Sequence, residues 1–301
     1  MSTTRRDLVR RLWLLLSLGA VTTLVLFGAY RGVHDDTVPL ASSSTPGILA
    51  VDTAKNAVRR AHAAVDGSGP AGDTTGEFHT QISVAHQSIA AAASENVTGP
   101  ADRHTLQTVT GLITVYSAWV ERAGRETDPS LREAYLHYAR QGRDDIVERL
   151  DELRGQQLAV AREQASFPWP LRLGWGAVLV LGLGLCAALV EAQWFARRRF
   201  RGAVHPPLLA ATVLCAGGTA VLGWFTVRAH AAMGDSVAEL RATRTADEIP
   251  QAGADVRRYL ADAGFWASLS TWVLVGGVAL MALTVAGLWP RIAEYRFRAP
   301  R

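Results

Sequence analysis

Four runs of the chain, 12–30, 173–190, 208–227 and 265–289, are apolar and free of charged residues. At 1.5 Å per residue each reaches about 30 Å, the thickness of a bilayer's hydrocarbon core, so each predicts a transmembrane helix. Between the first two runs the pattern changes. Apolar residues recur there every three or four positions, the period of a helix with one buried face. Val51, Ala54, Val58, Ala61 and Val65 form one such seam, and Phe78, Ile82, Ala85, Ile89 and Ala92 a second. Leu106, Val109, Ile113, Tyr116, Val120 and Ala123 form a third. The fourth runs Leu131, Tyr135, Tyr138, Gly142, Ile146, Leu150, Leu153 and on to Val160.

The breaks between these seams carry helix punctuation. Gly67-Ser68-Gly69-Pro70 ends the first helix and Gly99-Pro100 the second. Asp128-Pro129 opens the fourth as an N-cap followed by proline at the first helical position. Pro168 and Pro170 break or kink it before the second span. Ser42-Ser43-Ser44-Thr45-Pro46-Gly47 reads as a polar linker ahead of the first helix. Short connections make neighbouring helices antiparallel. The expected fold is an all-α membrane protein with four transmembrane helices. An extracytoplasmic antiparallel four-helix bundle lies between spans 1 and 2, and a short helical hairpin, extending spans 3 and 4, lies between those spans.

Arginine sets the orientation. Arg5, Arg6, Arg10 and Arg11 precede the first span, and Arg197, Arg198, Arg199 and Arg201 fill the loop between the second and third. Arg291, Arg296, Arg298 and Arg301 follow the fourth. The positive-inside rule places all three clusters in the cytoplasm. The layout is therefore 1–11 cytoplasmic, 12–30 span 1, 31–170 extracytoplasmic bundle, 171–195 span 2 and 196–206 cytoplasmic loop. It continues with 207–227 span 3, 228–264 extracytoplasmic hairpin, 265–289 span 4 and 290–301 cytoplasmic tail. The first run is longer than a signal-peptide core and no A-x-A site follows it, so it reads as an uncleaved anchor in the plasma membrane. Eight of nine tryptophans fall near span ends, where an indole suits the interface; Trp119 does not.

Composition then removes function classes. Topology accounts for the basic clusters, so the net charge of +4 implies no nucleic-acid partner. Cys186 and Cys215 lie inside spans, so no disulfide framework is expected outside. The spans lack the interior charges of an ion-coupled transporter, since Arg172 and Glu191 stand near span ends. The cytoplasmic pieces are too short to fold as a kinase or cyclase. His79 and His86 are seven apart, not the four of a zinc helix, and no nucleophile-elbow, zinc-protease or P-loop motif occurs. No catalytic residue, metal or cofactor is expected. One lysine, Lys55, against thirty arginines, with many Ala and Gly, suggests a GC-rich bacterial genome.

One stretch stands out in the polar region: VYSAWVERAGRETDPSLREAYLHYAR, residues 115–140. It spans the turn between the third and fourth helices, which chain order makes membrane-distal. Tyr116 and Tyr135 fall on seams. Trp119, Glu121, Arg122 and Arg125 lie beside them, and Trp, Tyr and Arg dominate binding hot spots. The candidate ligand or partner surface is thus Tyr116, Trp119, Glu121, Arg122, Arg125 and Tyr135. The competing reading is a wide bundle end filled by aromatics.

The run Tyr116-Ser-Ala-Trp-Val-Glu121-Arg-Ala-Gly-Arg125, followed by Glu133-Ala-Tyr135-Leu136 and Ala139, resembles a segment of the GlnX-type actinobacterial four-span membrane proteins. It departs from them at Arg125-Glu126-Thr127-Asp128, where the family carries an asparagine pair, and at His137, where the family carries Arg. The resemblance implies a partnership with a glutamine-binding-type solute-binding lipoprotein and a cytoplasmic PknG-type Ser/Thr kinase, relaying amino-acid availability. With the large outer domain joined to minimal inner pieces, the loop arginines Arg197, Arg198, Arg199 and Arg201 are the expected contact with the cytoplasmic partner. Expected is a non-catalytic membrane sensor or adaptor in contact with membrane lipids, with homodimerisation left open. The alternative is a structural or accessory subunit of an envelope or transporter complex.

Overall fold

The computed structural model describes residues 3–66, 74–200, 206–242, 245 and 247–297. Among them every regular element is helical: α1 (Thr3–His34), α2 (Thr37–Pro39), a π turn (Leu40–Ser44), α3 (Thr45–Val65), α4 (Thr74–Glu95) and α5 (Pro100–Arg125). These are followed by α6 (Pro129–Gln164), α7 (Trp169–Phe200), α8 (Pro206–Arg241), α9 (Ile249–Tyr259) and α10 (Ala263–Phe297). The chain divides into two units. One is Met1–Asp36, Phe167–Ala231 and Asp262–Arg301; the other is Thr37–Ser166 and Ala232–Ala261.

The first unit holds four helices long and apolar enough to cross a membrane, as expected of the four apolar runs. α1 packs on α7 and α10. Glycine allows one of these approaches. A Cβ at Gly277 of α10 would collide with the side chain of Thr23 on α1, whereas one at Gly276, Gly217 or Gly218 would meet nothing. Of the two glycine pairs, only this residue is needed for close helix contact. Tyr30 is wholly buried and donates from its hydroxyl to the carbonyl of Trp266 at 2.9 Å. Glu191 pairs with Arg11 at 3.1 Å.

In the second unit α3, α4, α5 and α6 share a hydrophobic core. α3 contacts α4 and α6, and α5 contacts the same two helices. Every residue of the second and third seams is buried, as are Val51, Ala54, Val58 and Ala61 of the first. Burying a Val, Leu, Ile or Phe side chain contributes about 1.5 to 3 kcal/mol, so these seams supply most of the local drive to fold. Gly99, at φ 83, stands between α4 and α5, a backbone region that glycine enters without strain. α9 lies on α3 through its buried face of Ile249, Ala252 and Val256.

Three expectations are corrected. The serine-rich stretch is helical: the π turn runs into α3, with Leu40 wholly buried and the Ser44 hydroxyl donating to Gln164 at 2.8 Å. A buried leucine and a long-range hydrogen bond override a composition that reads as linker. The start of the fourth seam is outside the core. Leu131 and Tyr138 are exposed, and α6 contributes Ala139, Ile146, Leu150 and Leu153 instead. The hairpin is asymmetric: α8 is one continuous helix, while α9 is separated from α10 by a turn. The Gly67–Pro70 stop lies outside the described residues.

The core also holds charge. Asp52 of α3, 4% exposed, lies 2.6 Å from Nε of Arg154 on α6. Lys55 binds Asp151 at 2.6 Å and stands 3.9 Å from Asp52. Arg154 also donates to the Leu240 carbonyl at 2.9 Å. Further along, Asp102 accepts from the Thr98 amide at 2.8 Å and from the buried Gln157 at 3.2 Å. Buried ions need such partners, because desolvation costs several kcal/mol per charge.

Candidate functional site

The aromatic stretch occupies the end of the second unit where α5 finishes and α6 begins. The turn is tied by its own acids. Asp128 caps α6, its Oδ1 accepting from the Ser130 amide at 2.8 Å, as expected of the Asp-Pro pair. Glu126 Oε1 accepts from the amides of Thr127 and Asp128 at 3.0 and 3.2 Å. Satisfied amides at a helix start hold the entry angle of the chain.

The six candidate residues fall into three places. Tyr116 is interior, with no exposed surface. Its hydroxyl is 3.3 Å from Nδ1 of His62 on α3, and burial pushes its pKa up. His62 is buried too, and its Nε2 approaches Asp66 Oδ2 at 3.0 Å without hydrogen-bond alignment. Burial dominates and lowers the His62 pKa below 6.5, although Asp66 pulls the other way.

Trp119, Tyr135 and Arg122 form a second group. The indole stacks on Tyr135 at 5.8 Å between centroids and meets Tyr138 at 5.4 Å, and the Arg122 guanidinium lies 5.0 Å from the indole centroid. Such a cluster has a stiff apolar body and a cationic rim. Glu121 and Arg125 are on the other flank of α5, since a two-residue step turns about 200° around a helix. They pair at 3.6 Å and line a cavity of about 490 Å³ at the helix ends. Val65 of α3, Phe78 and His79 of α4, and Arg132 and Leu136 of α6 complete its wall.

The sequence stretch supplies part of the wall of this cavity. Val65 of α3 and Phe78 and His79 of α4 lie outside the stretch, and no pattern along one helix connects them to it. The available signal was polarity: His79 directly follows the seam residue Phe78. Of the basic loop, Arg198 lies over the Trp194 ring at 3.6 Å and Arg197 is exposed at the end of α7. Arg201 lies outside the described residues, as does the side chain of Arg199.

Four membrane-length helices point to a multi-pass membrane protein, and a second helical unit carries a cavity at one end. Residues 36–166, which contain the whole of the second unit's first segment, match the family model of the actinobacterial sensor domain. That match supports a sensor role. No curated protein and no solved structure matches the chain.

Proposed function

We propose that the protein is a non-catalytic membrane sensor in which α3–α6 form an extracytoplasmic antiparallel bundle, with the α5–α6 turn distal and both chain termini cytoplasmic. The single observation that carries this reading is the sensor-domain match, which covers all four helices that line the cavity of about 490 Å³. The cavity wall supports a small zwitterionic solute of the amino-acid class. Arg125 and Arg132 offer donors for a carboxylate, Glu121 accepts from an ammonium, and Phe78 and Leu136 flank an apolar side chain. A solute-binding lipoprotein could present the solute by docking on the Trp119–Tyr135 cluster, whose rigid aromatics and Arg122 have hot-spot chemistry.

In this scheme occupancy shifts α6, and the short segment from Gln164 to Trp169 passes the shift to α7 and its arginine-bearing end. Arg197, Arg198, Arg199 and Arg201 there would meet a cytoplasmic partner, a Ser/Thr kinase by the GlnX-type resemblance. The test is direct. The full chain in nanodiscs is titrated with a panel of free amino acids by calorimetry, and a photo-cross-linker at position 119 is activated in cells. Saturable binding lost in Arg132→Gln, or capture of a solute-binding lipoprotein, supports the reading. No heat with any amino acid together with no captured binding protein overturns it.

A further inference from the structure

The first unit contains a groove that the sensor reading does not use. It runs between α7 and α8, encloses about 790 Å³, and is lined almost wholly by apolar atoms. On α7 it extends from Trp175 to Cys186 and on α8 from Cys215 to Thr226. Each stretch rises about 16 Å at 1.5 Å per residue, close to half of a hydrocarbon core about 30 Å thick. The groove is thus one leaflet deep.

Its two ends differ in chemistry. At the inner end stand Gly182, Leu183, Cys186 and Cys215, which offer a smooth apolar floor. At the mouth are Arg172, Trp175 and His230, with Phe167 packed edge-on to the His230 ring at 5.4 Å. Nε1 of Trp175 and Nδ1 of His230 are shielded from solvent and have no hydrogen-bond partner among the described residues. A buried N–H left without an acceptor costs about 1 to 3 kcal/mol, so an acceptor at the mouth would recover that cost. Arg172 donates its Nε to the Phe167 carbonyl at 3.0 Å, and no carboxylate pairs with its guanidinium among the described residues.

We propose that this groove is a binding site for one anionic glycerophospholipid of the leaflet in which Arg172 lies. One acyl chain fills the α7–α8 cleft down to Cys186 and Cys215, and the phosphate accepts hydrogen bonds from Arg172, Trp175 and His230. Charge complementarity at the mouth selects an anionic head, and the depth of the apolar part matches one leaflet. A zwitterionic head offers the same phosphate but brings its own ammonium to the mouth, where it is repelled by Arg172, so the anionic head is preferred.

The experiment uses the full chain in nanodiscs containing phosphatidylglycerol or phosphatidylcholine, each with a diazirine at the end of one acyl chain. With phosphatidylglycerol, label is expected on peptides carrying Leu183, Cys186 and Cys215, above the level on α1 and α10. Arg172→Gln should lower this labelling about fivefold, the effect of one basic residue at a membrane surface. Gly182→Leu, whose added side chain has room to enter the cleft, should suppress labelling with either head group. Thermal transitions of both variants identify any that fails to fold, and either variant alone suffices. Equal labelling by the two lipids, an even spread over all four spans, or protection of the groove in a dimer of two chains would overturn the proposal.

Discussion

Nδ1 of His62 on α3 stands 3.3 Å from the hydroxyl of Tyr116 on α5, in a core that excludes solvent from both side chains. The pair fixes how the first and third seams meet beneath the cavity, because each polar atom has few other partners. Tyr116→Phe keeps the ring but leaves His62 short of a partner, at a cost of about 1 to 3 kcal/mol. Tyr116→Ala also opens a void and should cost about 3 to 5 kcal/mol. Thermal unfolding of the full chain should rank the two in that order. Equal, small shifts would return Tyr116 to the surface.

The same histidine predicts an acid response. Its pKa in the folded protein is lowered by burial, with Arg143 and Arg140 acting in the same sense and Asp66 and Asp144 against it. In the unfolded chain it titrates near 6.5. Between those two values the unfolded chain binds more protons, so stability rises with pH across the window. The contribution is complete above about pH 6.5 and is lost as pH falls towards the folded value. The thermal midpoint should stay level from about pH 8 to 7 and drop as the pH falls below about 6.5, and His62→Gln should flatten that drop. A midpoint that climbs on acidification in the native chain and not in the variant would contradict the sign.

Asp128 anchors the turn beside the cavity. Replacing it with Ala removes the acceptor for the Ser130 amide and should cost about 1 kcal/mol. The loss should be local. Hydrogen exchange of amides in the first turn of α6 should speed up, while those of Ile146 and Leu150, deep in the core, keep their protection. Uniform loss of protection along α6 would show that the cap supports the whole helix.

Gly277 allows α10 to approach α1 at Thr23. Gly277→Leu should separate the two helices and lower the thermal midpoint, and the same change at Gly276, where nothing lies near, should leave it almost unmoved. Equal shifts at both positions would deny this glycine its special place.

How much of this was legible differs from helix to helix. α4 and α5 bury every position that their spacing marks, because their seams are apolar and each packs within a few dozen residues of its neighbour. Asp52 and Lys55 show the opposite case. Polarity assigns them to a wet surface, and only Arg154 and Asp151, about a hundred residues later, make burial tolerable. Leu131 and Tyr138 fit the period of α6 yet lie beyond the end of the core, since periodicity gives a face and not where its partner stops. The aromatic stretch contributes residues of two helices to the cavity, but the cavity wall comes from four helices and depends on packing that no single segment encodes.

The buried cluster offers the sharpest contrast between two ion pairs of the same unit. Arg154 and Asp52 are shielded, with side chains 15% and 6% exposed, whereas Arg60 and Asp247 pair at 3.0 Å with side chains 48% and 88% exposed. Water screens the second pair, so Arg60→Ala should cost under about 1 kcal/mol. Arg154→Met leaves Asp52 buried with only Lys55, 3.9 Å away, for compensation, and should cost about 3 to 5 kcal/mol. The double variant Asp52→Leu with Arg154→Met removes both charges and should regain most of that loss, because no stranded ion remains. Thermal unfolding of the three variants checks the order. A double variant no more stable than Arg154→Met alone would place the cost in lost packing and in the Leu240 carbonyl, not in the charge of Asp52.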